Sequence, residues 1–394
     1  MHAVLFKSPG QSWWKLGGMT LLERNLRQLE TAGCTTALVL HPPGDALPDL
    51  AVPRPLRVEV SAAYVVFSTP DPLALLPGLK LATHDPLFFF DANLLIDARV
   101  LTMLKHQAPP CFMMSANGSP DHLIWRVGWF TPDDIATGKA VTQHAEKFLP
   151  TAIGSYDAEG EGGKPVYFQT VNKESDLLYG WRLLVDQVSQ RPVDLVRKYV
   201  TPPIENWLVR RLCDTAVMPR HVTLLAVAIA LAGTSLFYQG WFFLALAFAW
   251  GAILLQGSNG KLAQLKLMNA HAGQLDPVVN FVSENSWYWA LGARLATTHD
   301  PTALSIGVSV TAYGICEKIL RAFFTQLTGK ELDEAGTFAR RFCLIGGCGS
   351  IYLCILLASF VFDVPLVGLL TVLWWAGLTL AVRLGQVGYH LLQR

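Results

Sequence analysis

The chain has 394 residues, 52% of them hydrophobic, and a formal net charge of +1. That length is enough for two domains, and the near-neutral charge gives no support for a nucleic-acid footprint, which would need a basic face. Seven cysteines are present without a Cys-x-x-Cys pair, and Cys343 and Cys348 lie in an apolar run. This pattern excludes a disulfide framework or a zinc-finger reading and points to a reducing compartment.

The first residues, MHAVLFKSPGQSWWKLGG, contain no apolar h-region followed by a cleavage site, so no secretory signal is expected. Residues 1–194 mix charged, Pro-rich and apolar stretches, as a cytoplasmic α/β domain does. HAVLF reads as a strand, GGMTLLERNLRQLETAG has helical periodicity, and TTALVL reads as a second strand. In PLFFFDANLLID, Asp91 stands where a buried apolar run emerges, at the strand end where open α/β sheets gather ligands. Lys15 and Lys147 are candidates to meet a phosphate, although a lone lysine is more commonly a solvated surface residue. The EGEGG run at 159–163 lacks a strand–loop–helix context and reads as a turn.

Residues 195–217 read as a juxtamembrane segment. Ile204, Trp207, Leu208 and Leu212 recur at helical spacing with Arg210 and Arg211 between them. This is the pattern of an amphipathic helix at a membrane interface, with an ordinary linker helix as the alternative.

From 218 to 394, apolar stretches dominate. Six candidate spans fall at about 221–239, 241–256, 275–297, 302–326, 342–362 and 364–385, each near the roughly 20 residues a helix needs to cross a bilayer. The third and fourth are the least pure, since they carry Glu284, Arg294, Glu317, Lys318 and Arg321. Lysine and arginine cluster in alternate connections, while the turns at 237–241, 297–301 and 362–365 have neither. Cytoplasmic loops retain these residues during insertion. Both termini and the N-terminal domain are therefore expected on the cytoplasmic side of an inner membrane. Tryptophans 207, 241, 250, 287, 289, 374 and 375 read as interfacial anchors in or near the spans.

Between the second and third spans the chain reads LLQGSNGKLAQLKLMNAHAGQLDPVVN over 254–280. The order of helix end, glycine, alanine, second glycine and next helix resembles the CDP-alcohol phosphotransferase signature, D-x-x-D-G-x-x-A-R followed by G-x-x-x-D-x-x-x-D. Members of that family move a phospho-alcohol from a CDP-alcohol to an acceptor hydroxyl and release CMP. Residues three or four apart share a helix face, so four carboxylates on two facing helices can cage divalent metal, and the last acid is proposed as base. Laid over this chain, the motif's small positions are Gly260, Ala263 and Gly273. Gln256 and Asn259 fall on the first two acid positions and Gln264 on the arginine. Asp276 falls on the third acid and Asn280 on the fourth. His271, beside the motif, reads as interfacial polar filling. Amides hold hard cations weakly, and Asn280 cannot act as a general base. The P-R-H-V-T run at 219–223 and FARRFCLIGG at 338–347 resemble family segments before the first and fifth spans.

The N-terminal half is similar to sugar-phosphate nucleotidyltransferases, above all the cytidylyltransferase half of bifunctional inositol-phosphate cytidylyltransferase/di-myo-inositol-phosphate-phosphate synthases, which carry both domains in this order. The fold class implied is an α/β, Rossmann-like nucleotidyltransferase domain followed by an all-α six-helix transmembrane domain. The family's first loop, A-A-G-x-G-x-R, is replaced by KSPGQSWW, with Pro9 and Gln11 at glycine positions and Trp13 near the arginine. Asp91 matches the first metal-binding acid and Asn172 stands at the second. The resemblance implies a role in phospholipid or polar-headgroup metabolism. The partners implied are membrane lipid and a CDP-linked nucleotide, with a homodimer or a complex with another membrane enzyme. Three readings follow: a catalytically impaired pseudoenzyme, an active transferase using an atypical site, or a scaffold without ligand. In the active reading, Asp276 with Glu284 or Glu317 would form the site, and magnesium or manganese would be the cofactor.

Overall fold

The structure is a computed structural model. It describes residues 1–7, 13–48, 50, 56–65, 85–116, 123–131, 146–148, 167–188, 194–267, 276–329, 331–334 and 336–392. The chain divides into two compact units, one of Met1–Ser189 with Leu265–Leu267, the other of Gln190–Gln264 with Met268–Arg394.

The first unit is built on a seven-stranded mixed sheet. Its parallel part holds β1 (His2–Phe6), β4 (Thr36–His41), β5 (Glu59–Tyr64) and β6 (Leu87–Asp91), in the order β5-β4-β1-β6. Beyond β6 come β9 (Leu123–Phe130) and β8 (Cys111–Ala116), both in antiparallel pairings, and then β10 (Glu146–Phe148). Strands β1 and β6 are buried along nearly their whole length, as their continuous apolar sequence requires of strands covered on both faces. The short strands β2 (Lys15–Leu16) and β3 (Met19–Thr20) and helix α1 (Leu21–Thr31) connect β1 to β4, and α1 is capped by Thr20, whose side chain accepts from the Glu23 N–H; α2 (Ala98–Lys105) and α3 (Glu174–Val188) follow later in this unit. The chain leaves β1 toward β4 on one side and returns to β6 on the other. Strand order therefore reverses between β1 and β6, the crevice where such sheets bind ligands. Asp91 ends β6 directly opposite Phe6 of β1.

The second unit is helical. Helices α4 (Leu195–Tyr199) and α5 (Thr201–Cys213) precede the long α6 (Pro219–Gln239), α7 (Phe242–Leu265), α8 (Asp276–Thr298) and α9 (Ala303–Thr328). A 3-10 turn at Leu332–Glu334 and the short α10 (Thr337–Cys343) lead to α11 (Gly349–Val361) and α12 (Pro365–Leu392). Among the described residues four helices, α6, α7, α9 and α12, are long and apolar enough to cross a membrane. The other two expected spans differ for separate reasons. Helix α8 has 23 residues but is the most polar. Its apolar residues Trp287, Leu291 and Leu295 are buried within the bundle core, and a helix covered by protein need not be apolar all round. The stretch expected as 342–362 is broken after α10, and α11 has only 13 residues, about 20 Å of helix against a hydrocarbon core of about 30 Å. Gly346 and Gly347 stand in the break.

The bundle core is apolar and tied by side-chain bonds. Trp287 is fully buried and its Nε1–H donates to the Ala230 carbonyl at 3.1 Å, so it is a core residue where an interfacial anchor was expected. Trp207, Trp241, Trp289 and Trp374 are exposed. Arg383, which falls within the span expected at 364–385, is 1% exposed inside α12 and pairs with Asp333 at 2.6 Å. Asp333 also pairs with Arg321 at 2.6 Å, and Arg321 with Glu317 at 2.9 Å. None of the seven cysteines is in a disulfide.

Candidate functional site

The motif helix is α7, and it runs past the expected end at 256 through Leu265. Gln256, Asn259, Gly260, Ala263 and Gln264 therefore lie on continuous helix. The first four share one face, while Gln264 is exposed on its flank. Asn259 is buried and its Nδ2–H donates to Thr223 Oγ1 at 2.8 Å. Thr223 belongs to the segment that resembles the family's entry to the first span, so that entry and the motif are brought together. Gly273 and His271 lie outside the described residues. Asp276 and Asn280 begin α8, and the Asp276 side chain is outside the described set.

A residue the sequence reading missed packs against another face of the motif helix. The inward face of α5 is Thr201, Glu205, Val209 and Cys213, all buried. Glu205 places its carboxylate against α7, where Lys261 Nζ meets Oε2 at 2.9 Å. Lys261 also donates to Asn206 Oδ1 at 2.8 Å. Both charged residues are 6% exposed. A Cβ at Gly257 would fall 2.3 Å from Glu205 Oε1, so the absence of a side chain there is what admits the carboxylate. The signal available in the sequence was the four-residue recurrence of the inward stripe.

The two further acids considered for an atypical site have partners of their own. Glu317 belongs to the Arg321–Asp333–Arg383 network. Glu284 lies on the stripe of α8 that includes Asn280, one turn on, and its carboxyl group abuts Gly349 at the start of α11. Arg197 and Lys318 are the cations that act on it. Nearby, Asp194 is fully buried and accepts from Ser350 Oγ at 2.6 Å and from the Arg197 N–H at 2.8 Å.

The resemblance implies divalent metal held by paired carboxylates, and the described residues do not fit it. Three of its four acid positions are amides, Gln256, Asn259 and Asn280, and the Asn259 Nδ2–H donates to Thr223. The carboxylate that reaches α7 already has an ammonium as counter-ion. Among the described residues no group of three or more His, Cys, Asp or Glu side chains is arranged to hold a metal ion.

In the first unit, Asp91 is buried and its Oδ1 accepts from the Asn93 N–H at 2.8 Å. The strand β11 (Phe168–Thr170) pairs antiparallel with β7 (Leu94–Ile96), and the Val171 N–H donates to Asn93 O at 3.1 Å. This ribbon carries Asn172 to the same end of the sheet as Asp91. Asn172 is exposed, with its N–H donating to Asp176 Oδ2 at 3.0 Å. Lys7, at the end of β1, is buried, pairs with Asp45 and lies 4.7 Å from the Trp13 ring centroid. Lys15 is exposed; Pro9 and Gln11, the EGEGG run and the Lys147 side chain lie outside the described residues.

No protein-family model matches the chain, and no curated protein does. Similar solved structures include Mycobacterium tuberculosis phosphatidylinositol phosphate synthase (PgsA1) with CDP-DAG bound, at 20% identity and a TM-score of 0.37, covering 48% of this chain and 93% of that one. The same protein in complex with manganese and citrate aligns at 20% identity and a TM-score of 0.37, over 48% and 88%. HddC from Yersinia pseudotuberculosis aligns at 9% identity and a TM-score of 0.33, over 46% and 98%.

Proposed function

We propose that this chain is a membrane protein of the CDP-alcohol phosphotransferase type, acting in phospholipid or polar-headgroup metabolism as a catalytically impaired member that binds a CDP-linked lipid. In this reading α8 and α11 complete a six-helix domain with α6, α7, α9 and α12. The α/β unit is a nucleotidyltransferase-like domain on the cytoplasmic side of the inner membrane, and the chain acts as a homodimer or beside a second membrane enzyme.

One observation carries the impaired reading. At the motif, three of the four acid positions are the amides Gln256, Asn259 and Asn280, and the Asn259 Nδ2–H is used in a helix–helix bond to Thr223. A phosphoryl-transfer site needs cations on the diphosphate and a base on the acceptor hydroxyl. Asn280 supplies no base.

The test is CMP release by the full-length protein in detergent from CDP-diacylglycerol, with glycerol phosphate, inositol phosphate and serine as acceptors, in magnesium or manganese. The expected result is release at the background rate together with calorimetrically detectable binding of CDP-diacylglycerol. Release that is abolished by Asp276→Asn would instead establish an active transferase with an atypical site. The placement of Glu284 on the Asn280 stripe favours that second reading, because it is a carboxylate one turn from the missing base.

A further inference from the structure

We infer that the outward face of α5 binds anionic phospholipid of the surrounding membrane, with Arg210 and Arg211 taking headgroup phosphates and Val200, Ile204 and Trp207 entering the acyl boundary. This goes beyond the proposed function and does not rest on it.

Three ties fix α4 and α5 across one end of the helical bundle. At the start of α4, Asp194 accepts from Ser350 Oγ, in the first turn of α11, at 2.6 Å. The Leu195 N–H donates to the Leu344 carbonyl, just before α11, at 2.9 Å. Along α5, Glu205 meets Lys261 Nζ in the closing turns of α7 at 2.9 Å. Helices α6 and α7 run out and back, as do α8 and α9, so α6 and α11 begin on the side where α7 ends. At that end Asn259 of α7 is bonded to Thr223 in the opening turns of α6. Both α6 and α7 are long and apolar enough to cross a membrane, so a bilayer surface lies at this level. Only Asp214–Met218 separate α5 from α6.

The side of α5 turned away from the ties is both apolar and basic. Thr201, Glu205, Val209 and Cys213 form its buried stripe. Val200, Ile204 and Trp207 are 56%, 45% and 60% exposed. They recur with Arg211 about one helical turn apart, and so share a face. Arg210 and Arg211 are exposed in the last turn of α5, and Arg220 is exposed at the start of α6. From 210 to 221 the only carboxylate is Asp214, so this edge is cationic.

Water alone would leave three large apolar side chains uncovered, and a zwitterionic leaflet has no net charge to draw the arginines. An anionic leaflet meets both needs. Apolar side chains of an interfacial helix enter the boundary between headgroups and acyl chains, while guanidinium forks pair with phosphate oxygens. The competing occupant is a second copy of this chain.

The test titrates the full-length protein in detergent calorimetrically with dioctanoyl-phosphatidylglycerol and with dioctanoyl-phosphatidylcholine at low salt. Phosphatidylglycerol should bind about tenfold or more tightly, the effect of two arginines near an anionic surface. Arg210→Gln/Arg211→Gln should bring the two lipids level, and Arg210→Lys/Arg211→Lys should keep the preference. Added sodium chloride should weaken it, and Trp207→Gln should weaken both lipids by the same factor. These side chains are exposed, so every variant should elute and melt as the parent does without lipid. Equal affinity of the unaltered protein for the two lipids overturns the inference. So does a preference that survives Arg210→Gln/Arg211→Gln, which would place the anionic lipid elsewhere on the protein. A salt-sensitive dimer that this variant dissociates, with no lipid preference, also overturns it and assigns the face to a second copy.

Discussion

Glu205 and Gly257 depend on each other at the scale of single atoms. The carboxylate lies where a β-carbon on residue 257 would be. Gly257→Ala should therefore push the Glu205 head group away from Lys261 while leaving the α7 backbone in place. The expected cost is about 1–3 kcal/mol, read as a lower melting temperature in detergent, and an unchanged melt would mean Glu205 has another seat. Asp333 makes a second prediction. Burial pushes its carboxyl up, but the Arg321 and Arg383 guanidiniums beside it outweigh that and hold it below the ordinary value of 3.8. A depressed carboxyl contributes stability above its unfolded value and loses it as pH falls through the folded value. The melting temperature should thus drop as the pH is taken below about 3.8, and Asp333→Asn should flatten that part of the profile. A profile identical in both proteins would refute the assignment. These sites were only partly legible in the sequence. Gln256, Asn259 and Gly260 could be placed by spacing. Glu205 could not, because a window along the chain cannot report which side of α5 faces α7.

At the scale of elements, the approach of α8 to α9 depends on glycine. A Cβ at Gly307 would fall 2.4 Å from the Tyr288 carbonyl oxygen and 3.6 Å from Trp289 Cα. These are backbone atoms, which cannot swing aside as the Glu205 head group can. Small residues are what let membrane helices pack this closely. Gly307→Ala should therefore destabilise more than Gly257→Ala, at the upper end of about 1–3 kcal/mol or beyond, and equal melting temperatures for the two variants would contradict this ordering. The amphipathic pattern of α5 was readable in its exposed Ile204, Trp207, Arg210 and Arg211. Its buried stripe gives the helix a second role, since the element that presents tryptophan and arginine outward presents Glu205 inward. The break before α11 escaped hydropathy because Ile345, Gly346, Gly347 and Cys348 are as apolar as the helices that flank them.

For the whole molecule, the expected orientation can be tested at two exposed connections. Asp214 follows α5 and His299 follows α8. With arginine and lysine retained on the cytoplasmic side, His299→Cys should react with an impermeant maleimide added to intact cells, and Asp214→Cys should react only after lysis. The reverse pattern would invert the topology. What the sequence determined by itself is what local patterning controls. That comprises a mixed α/β first half, the apolar helices of the second, the amphipathic helix α5 with its arginines and the place of the motif on a helix end. Each follows from the periodicity with which apolar side chains must be buried. Tertiary structure alone decided which charges meet. Lys261 joins Glu205, Arg383 joins Asp333 and Trp287 joins the core. Of these, Trp287 reads in the sequence as an interfacial anchor, and the charged pairs have no sequence signal that joins them. A charge or an indole remains buried only when a group far along the chain supplies its counter-ion or acceptor, and only folding brings the two together.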